Sequence, residues 1–537
     1  MSMNKQFWAT RMGLILAVAG NAVGLGNFLR FPAQAAQNGG GAFIIPYLIC
    51  FVIMGLPLLW MEWAIGRHGG QRGFHTTPGM LDGLGRKKWL KYIGVFGMFN
   101  TIVVAAYYCY VEAWTLAYVW HCAIGTFQSV SGSDFFSQLL DTKNSAVLAT
   151  PREGLFWFLL TIAINALILS RGISEGVERV AKVGMPLLVI FGAILAVRVL
   201  CFTNIGDPHV VESPLNGLGF IWQPNLQGLL NPSIWLAAAG QIFFTLSVSM
   251  GTIQCYASYL GKKDDIALNA ATAGWMNGFI EVVLGSAIII PIATAYIGLS
   301  GVQAATTGGS GFALGFMTIP TLFNNWGAFA QLAGVLWFGL LFIAGLTSSL
   351  AMGQPILSFL QDEWKVSNAK GALVFVGICA LVGSLAVFFY PAGVFDEYDY
   401  WSGTIGLVLF GMLQAYIFVF VFGMKNGWRE IVRGADMQLP KAFYFIMKYI
   451  TPHFILLVML SALIKPEGNW LQAWQQLWGD GSWPFAADSV IGKLLHLGEG
   501  SPVRQQIANA TRLLLVLLLI ALCYLVHVTW KRKGKHS

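Results

Sequence analysis

The chain has 537 residues, of which 56% are hydrophobic and only 10% charged, with a formal net charge of +8. A soluble chain carries charge on about a quarter of its positions, so a soluble enzyme or carrier is excluded. What remains is an all-α membrane protein with no separate soluble domain.

From the N-terminus, apolar runs fall at 12–36, 42–66, 92–123, 155–170, 178–200, 233–260, 267–296, 328–359, 371–390, 399–424, 441–464 and 508–529, giving twelve predicted transmembrane helices. Each is long enough, or nearly so, to cross about 30 Å of hydrocarbon. The first starts basic and continues apolar, as a signal peptide does. It lacks a short h-region followed by a small-residue cleavage site, and it reads as a span. Within it lies Ala19-Gly20-Asn21-Ala22-Val23-Gly24-Leu25-Gly26-Asn27-Phe28-Leu29-Arg30. The second span carries Glu62, and the sixth contains Phe244-Thr245-Leu246-Ser247-Val248-Ser249-Met250-Gly251. The seventh places Asn277 and Glu281 four residues apart, hence on one helical face. The eighth holds Thr347-Ser348-Ser349 in an apolar run. The 465–505 segment is rich in Trp and Gly, and the chain ends on a basic tail. The seven cysteines (Cys50, Cys109, Cys122, Cys201, Cys255, Cys379 and Cys523) lie in or beside apolar runs without metal-type spacing, and read as buried small hydrophobes.

Charge orients this chain. With both termini in the cytoplasm, 23 Lys and Arg fall on the cytoplasmic side, 5 on the other, and the rest within or at the ends of spans. This is the positive-inside asymmetry. It accounts for the net charge without a nucleic-acid partner; a plasma (inner) membrane is the expected location.

An interrupted helix survives in lipid only where it lines protein or a watery cavity. Either polar segment alone reads as helix packing. Together with Asn27 and an intramembrane Arg30, whose burial costs about 2.5–3.5 kcal/mol or more, they read as breaks. The broken spans, first and sixth, hold corresponding places in two five-span halves, the pattern of an inverted-repeat transporter. This divides the chain into a first repeat (1–200), a second repeat (233–424) and two extra helices with the tail (440–537). A half-helix restarting near Gly24 to Gly26 offers free N–H groups to an anion, and glycine admits that anion close to the backbone. A half-helix ending near Ala22 offers carbonyls to a hard cation. A zwitterion with Na⁺ fits both. None of the eight histidines falls in either break, which argues against an embedded enzyme, and the polar residues gather at the midplane and do not line a pore.

The run Trp8-Ala9-Thr10-Arg11 through Phe31-Pro32 resembles the first helix of the neurotransmitter:sodium symporter family, most closely its bacterial leucine-transporting branch. The likeness continues through Asn38-Gly39-Gly40-Gly41-Ala42-Phe43, Glu62-Trp63, Tyr107-Tyr108, Arg171-Gly172-Ile173-Ser174, Gln241 to Ser247, Ala344-Gly345-Leu346-Thr347-Ser348-Ser349 and Trp401 to Gly406. It spans essentially the whole chain and is weakest at 125–150 and 465–505.

The resemblance implies a sodium-coupled symporter of neutral, apolar amino acids such as Leu, Met and aromatic ones, working by alternating access as a monomer or homodimer among membrane lipid. It implies two Na⁺ ions. One site uses Ala22, Asn27, Thr245, Asn277 and the substrate carboxylate; the other uses Gly20, Val23, Ala344, Thr347 and Ser348. Substrate contacts fall to Ala22, Gly24, Leu25, Gly26, Val104, Tyr108, Phe244, Thr245, Ser247, Met250, Ser348 and Met352. No charged side chain is among them. Met250 replaces an aromatic ring and Met352 a β-branched residue of the bacterial branch, and Met adapts its shape.

An outer gate is implied at Arg30, Asp399, Tyr108 and Phe244, and an inner one at Lys5, Trp8, Ser258, Tyr259 and Asp362. Lys5 is a departure, since the bacterial branch has Arg there, and Lys lacks the planar fork. Glu281, with Tyr47, Gln241 and Thr245, stands where animal members bind chloride and implies chloride-independent transport with proton counter-movement. Glu62 is expected to accept bonds from N–H groups freed by the breaks. Two other readings are a non-transporting sensor of this fold and a fold-mate carrying another small zwitterion or amine. Against the amine stands Gly24, where amine carriers of the family place an Asp.

Overall fold

The structure is a computed structural model and describes residues 8–85, 87–202, 208–306, 312, 314–498 and 500–532. Among these the chain is helical throughout, and an isolated bridge between Pro466 and Phe485 is the one β-type pairing. Ten helices are long and apolar enough to cross a membrane: Gly41–Gly70, Leu90–Ala123, Arg152–Leu169, Ile173–Cys201, Ile266–Thr306, Leu314–Trp364, Asn368–Phe388, Val394–Val432, Lys441–Ile464 and Pro502–Arg532. The bent pair Arg11–Ala22 and Gly26–Gln37 makes an eleventh. The remaining predicted span, the sixth, appears as two pieces, Pro232–Thr245 and Thr252–Ala257. Fourteen residues at 1.5 Å each reach about 21 Å, short of the hydrocarbon thickness. The sixth run therefore crosses only if both pieces and the link between them act together.

Local chemistry fixes the start of the first helix. Thr10 caps the first helix, its Oγ1 accepting from Gly13 N at 2.9 Å. Glu178 secures the same end, accepting from Ala9 N and Thr10 Oγ1 at 2.8 and 3.0 Å; a carboxylate there complements the positive end of the helix dipole. The helix stops at Ala22. The chain bends by 47° and resumes at Gly26, with Pro32 in the first turn of Phe31–Gln37, where its missing N–H leaves no bond unmade.

In the sixth run, Ser247 (φ 50°), Ser249 (φ 68°) and Gly251 (φ 77°) are left-handed. Glycine adopts this conformation freely, whereas each serine costs about 1–3 kcal/mol. The strain is offset by bonds from outside the segment. Glu62 accepts from Ser249 N at 2.6 Å, Thr101 Oγ1 donates to the Met250 carbonyl, and Asn100 Nδ2 donates to the Ser249 carbonyl at 3.4 Å.

Leu90–Ala123 packs along Ala330–Trp364, and these two long helices form the centre of the bundle, with the broken first helix against the second of them. The last helix is peripheral: Leu513, Val516, Leu517, Ile520 and Tyr524 face outward, as suits a lipid boundary.

Candidate functional site

The two breaks meet. Ser247 Oγ donates to the Asn21 carbonyl at 2.8 Å, and Asn21 Nδ2 donates to Thr252 Oγ1 at 3.1 Å. Between them lies a cavity lined by eleven of the twelve residues expected to touch substrate, together with Asn27. The twelfth, Leu25, contributes its backbone: its N–H donates to Tyr108 Oη at 3.0 Å. The lining contains no ionisable side chain other than the Tyr108 phenol.

Position 24 is a tight cradle. A Cβ there would stand 2.7 Å from Tyr108 Oη and 2.8 Å from Ser348 Oγ, with no room for a larger side chain. The Leu25 N–H and the Tyr108 phenol meet beside this space, and a helix start of this kind suits an anionic group.

Asn27, Asn277 and Thr245 form a chain of bonds beside this space. Asn27 Nδ2 donates to Asn277 Oδ1 at 2.8 Å, Asn277 Nδ2 donates to Thr245 Oγ1 at 3.1 Å, and Asn27 Oδ1 accepts from Gly24 N at 2.9 Å. The three accepting side-chain oxygens are hard ligands of the kind an alkali cation selects. On the other side of the first helix, Ser348 Oγ donates to the carbonyls of Gly20 (3.3 Å) and Asn21 (3.1 Å). Thr347 Oγ1 donates to the carbonyls of Ile343 (3.1 Å) and Ala344 (3.2 Å). Gly20 lets the two helices touch here, since a Cβ on it would lie 3.1 Å from Thr347 Cβ. The structure therefore brings Gly20, Ala344, Thr347 and Ser348 together; Val23 N donates to the Ala19 carbonyl as the cap of the first helix.

Glu281 is wholly buried, and donors from two other helices address it. Thr245 Oγ1 donates to Oε2 at 2.8 Å, Gln241 Nε2 donates to Oε1 at 2.5 Å, and Tyr47 Oη donates to Oε2. All three residues named for this group from the sequence are its partners.

The outer pair is arranged differently from the face-to-face expectation. Arg30 lies over the Phe244 ring, 4.5 Å from its centroid, while Asp399 accepts from Tyr107 Oη at 2.6 Å. Among the described residues no ion pair joins Arg30 to Asp399 in this conformation; the guanidinium is taken up by the ring and the carboxylate by a phenol.

At the inner end, Lys5 lies outside the described residues. Asp362 Oδ2 accepts from His75 N at 2.9 Å, and the His75 ring stacks on Tyr259 at 4.4 Å with its Nδ1 2.8 Å from Ser258 Oγ. Trp8 Nε1 donates to the Tyr256 carbonyl at 3.1 Å. Burial pushes the His75 imidazole down to about 4, with Lys365 adding to the shift.

Two groups escaped sequence reasoning. One is His75, whose role depends on a contact 287 positions away in the chain. The other is Glu112, buried one helical turn beyond Tyr108. Asn165 Nδ2 donates to both its oxygens at 3.1 and 3.2 Å, and Ser349 Oγ donates to Asn165 Oδ1 at 2.7 Å. The signal was available: an intramembrane carboxylate four residues after a site tyrosine calls for the same attention as Glu281 four residues after Asn277.

Comparison with known proteins points to one family. The profile of the Sodium:neurotransmitter symporter family matches residues 5–131 and 150–499. An uncharacterized sodium-dependent transporter of Haemophilus influenzae is 28% identical over 86% of this chain and 98% of its own. One of Methanocaldococcus jannaschii is 27% identical over 86% and 90%. A sodium-dependent nutrient amino acid transporter of Drosophila grimshawi is 24% identical over 85% and 76%. The crystal structure of MhsT in complex with L-phenylalanine superposes with a TM-score of 0.72 at 27% identity, covering 85% of this chain and all of that one.

Proposed function

Because the chain belongs to the Sodium:neurotransmitter symporter family, whose members are sodium-dependent transporters and not enzymes, we propose that it is a sodium-coupled symporter of neutral, apolar amino acids. One observation carries this reading: a cavity between two helix breaks offers N–H groups and a phenol at one end, carbonyls and hydroxyls at the other, and no charged side chain. A zwitterion places its carboxylate against Leu25 N and Tyr108 Oη and its amine near the Ala22 and Phe244 carbonyls and Ser247 Oγ. One Na⁺ sits among Ala22, Asn27, Thr245 and Asn277 and takes the substrate carboxylate as a further ligand. Each ligand then raises the affinity of the other, which is the thermodynamic basis of coupling. The second Na⁺ falls to Gly20, Val23, Ala344, Thr347 and Ser348, where it ties the first helix to the eighth.

The fixed charge of Glu281 takes the place of an external anion, so transport needs no chloride, and release of the ions lets that carboxylate accept a proton for the return step. The two repeats, 1–200 and 233–424, rock about the breaks with both termini cytoplasmic, in a bacterial inner membrane, the chain acting as a monomer or homodimer. Amino-acid carriage by the Drosophila relative and phenylalanine bound to MhsT support the substrate class. A biogenic amine is disfavoured by the crowding at position 24, where an aspartate has no room.

The test is uptake of labelled leucine into proteoliposomes under an inward Na⁺ gradient against an equal K⁺ gradient, with and without chloride. Sodium-driven accumulation indifferent to chloride is expected. Saturable binding with no flux in folded protein would instead identify a sensor.

A further inference from the structure

At the end of the bundle assigned above to the cytoplasm, a cavity of about 670 Å³ opens between the close of the second span and the segment that follows the tenth. Three guanidiniums line it: Arg72, Arg429 and Arg433. One carboxylate is present, that of Glu430, and it is already matched. Arg67, fully buried, donates to Glu430 Oε1 at 2.8 Å and spends its other N–H groups on the carbonyls of Glu430, Asp264 and Arg433. Arg433 touches the outer oxygen of Glu430 at 3.3 Å, and Arg72 donates to the His68 carbonyl at 2.9 Å. Arg429 has no acidic partner among the described residues. With Arg67 and Glu430 cancelling, the cavity retains an excess of three positive charges.

One further feature points to the ligand. The segment Met424–Val432 is an amphipathic helix. Its Met424, Gly427 and Ile431 are buried against the bundle, while Lys425, Asn426 and Arg429 are exposed. A basic helix of this kind beside a span belongs in the headgroup layer. The cavity wall is partly apolar, with Leu84, Val421 and Phe422, and Phe420 just before them is 60% exposed. Positive charge set against an apolar wall at headgroup depth matches a phosphate that carries acyl chains.

We propose that this cavity binds the phosphate of an anionic phospholipid headgroup in the inner leaflet. The assignment rests on the orientation given above but not on transport, and its test reads neither. Purified full-length protein is titrated with phosphatidylglycerol, with phosphatidylcholine and with inorganic phosphate, and bound lipid is counted by native mass spectrometry. Each near-surface arginine contributes about fivefold. The double variant R429Q/R433Q should therefore hold phosphatidylglycerol roughly thirtyfold more weakly than wild type, while K365Q/K370Q, with the same change in net charge, binds as wild type. Equal loss in both doubles would mean bulk charge and would overturn the site, as would unchanged binding in R429Q/R433Q. Displacement of the lipid by millimolar phosphate would reassign the cavity to a soluble phosphate. If R429Q/R433Q fails to fold, R72Q replaces it, since that guanidinium bonds to the His68 carbonyl four residues back; a loss of about fivefold is expected, and no loss overturns the proposal.

Discussion

Thr245 Oγ1 donates to Glu281 Oε2 at 2.8 Å and at the same time accepts from Asn277 Nδ2 at 3.1 Å. One hydroxyl thus joins the proposed anion surrogate to a proposed sodium ligand. Replacing Glu281 by Ser removes the negative charge and leaves the Tyr47, Gln241 and Thr245 donors aimed at a vacated position, which chloride can fill. Uptake by E281S should fall about tenfold or more without chloride, the equivalent of one hydrogen bond to a charged group, and recover as chloride is added. Rates from E281S that ignore chloride would end the surrogate assignment.

Glu62 holds the second break. Its Oε1 accepts from Ser249 N and from Gln414 Nε2, so E62A strands two buried donors next to a strained left-handed serine. Each stranded donor costs about 1–3 kcal/mol, and unfolding in detergent should shift accordingly. E62Q keeps an acceptor oxygen and should lie much nearer wild type. Equal destabilisation by both substitutions would show that charge, and not acceptance of the Ser249 N–H, is what matters.

The breaks were readable because Gly, Asn and Ser have no business in mid-lipid unless a cavity or another helix answers them, and because two such runs sat five spans apart. The partners that answer them were only half readable. Glu62 stood out as an intramembrane charge, but Asn100, Thr101 and Gln414 look like any polar residue on a packed helix, and their pairing with 249 and 250 is a tertiary fact that no local periodicity carries. In the sixth span hydropathy alone reads 233–260 as one helix, since Ser and Thr barely lower the average; the polar run 244–251 marked the break, and the backbone leaves the helix at Leu246 and returns at Thr252. The outer pair was named from likeness alone, and likeness does not say which conformation the side chains take.

His75 should make the inner closure sensitive to pH. Burial lowers its pKa to about 4 from an ordinary 6.5, so the closed arrangement favours the neutral ring. The stability this contributes is intact above about pH 6.5 and is lost progressively as the pH falls towards 4, because an opened state takes up the proton first. Cys255, buried in the same closure beside Tyr259 and Ser358, reports on it. Its alkylation rate in wild type, divided by that in H75Q at each pH to cancel the thiol's own titration, should rise from pH 7 to pH 5. A flat ratio would remove His75 from the closure.

Met250 decides whether the pocket is adaptable or merely full. Its carbonyl is fixed by Thr101 and its side chain is 1% exposed, facing the cavity with Met352. An unbranched thioether can swing aside for a large ring at little cost, whereas a phenylalanine in its place cannot. Overfilling a packed site costs about 1–3 kcal/mol. M250F should therefore weaken competition by phenylalanine, tyrosine and tryptophan about tenfold or more while leaving leucine within a few fold of wild type. If the ratio of aromatic to leucine affinity is the same in M250F as in wild type, the methionine only occupies volume, and selectivity must be sought on the facing wall at Val104 and Met352.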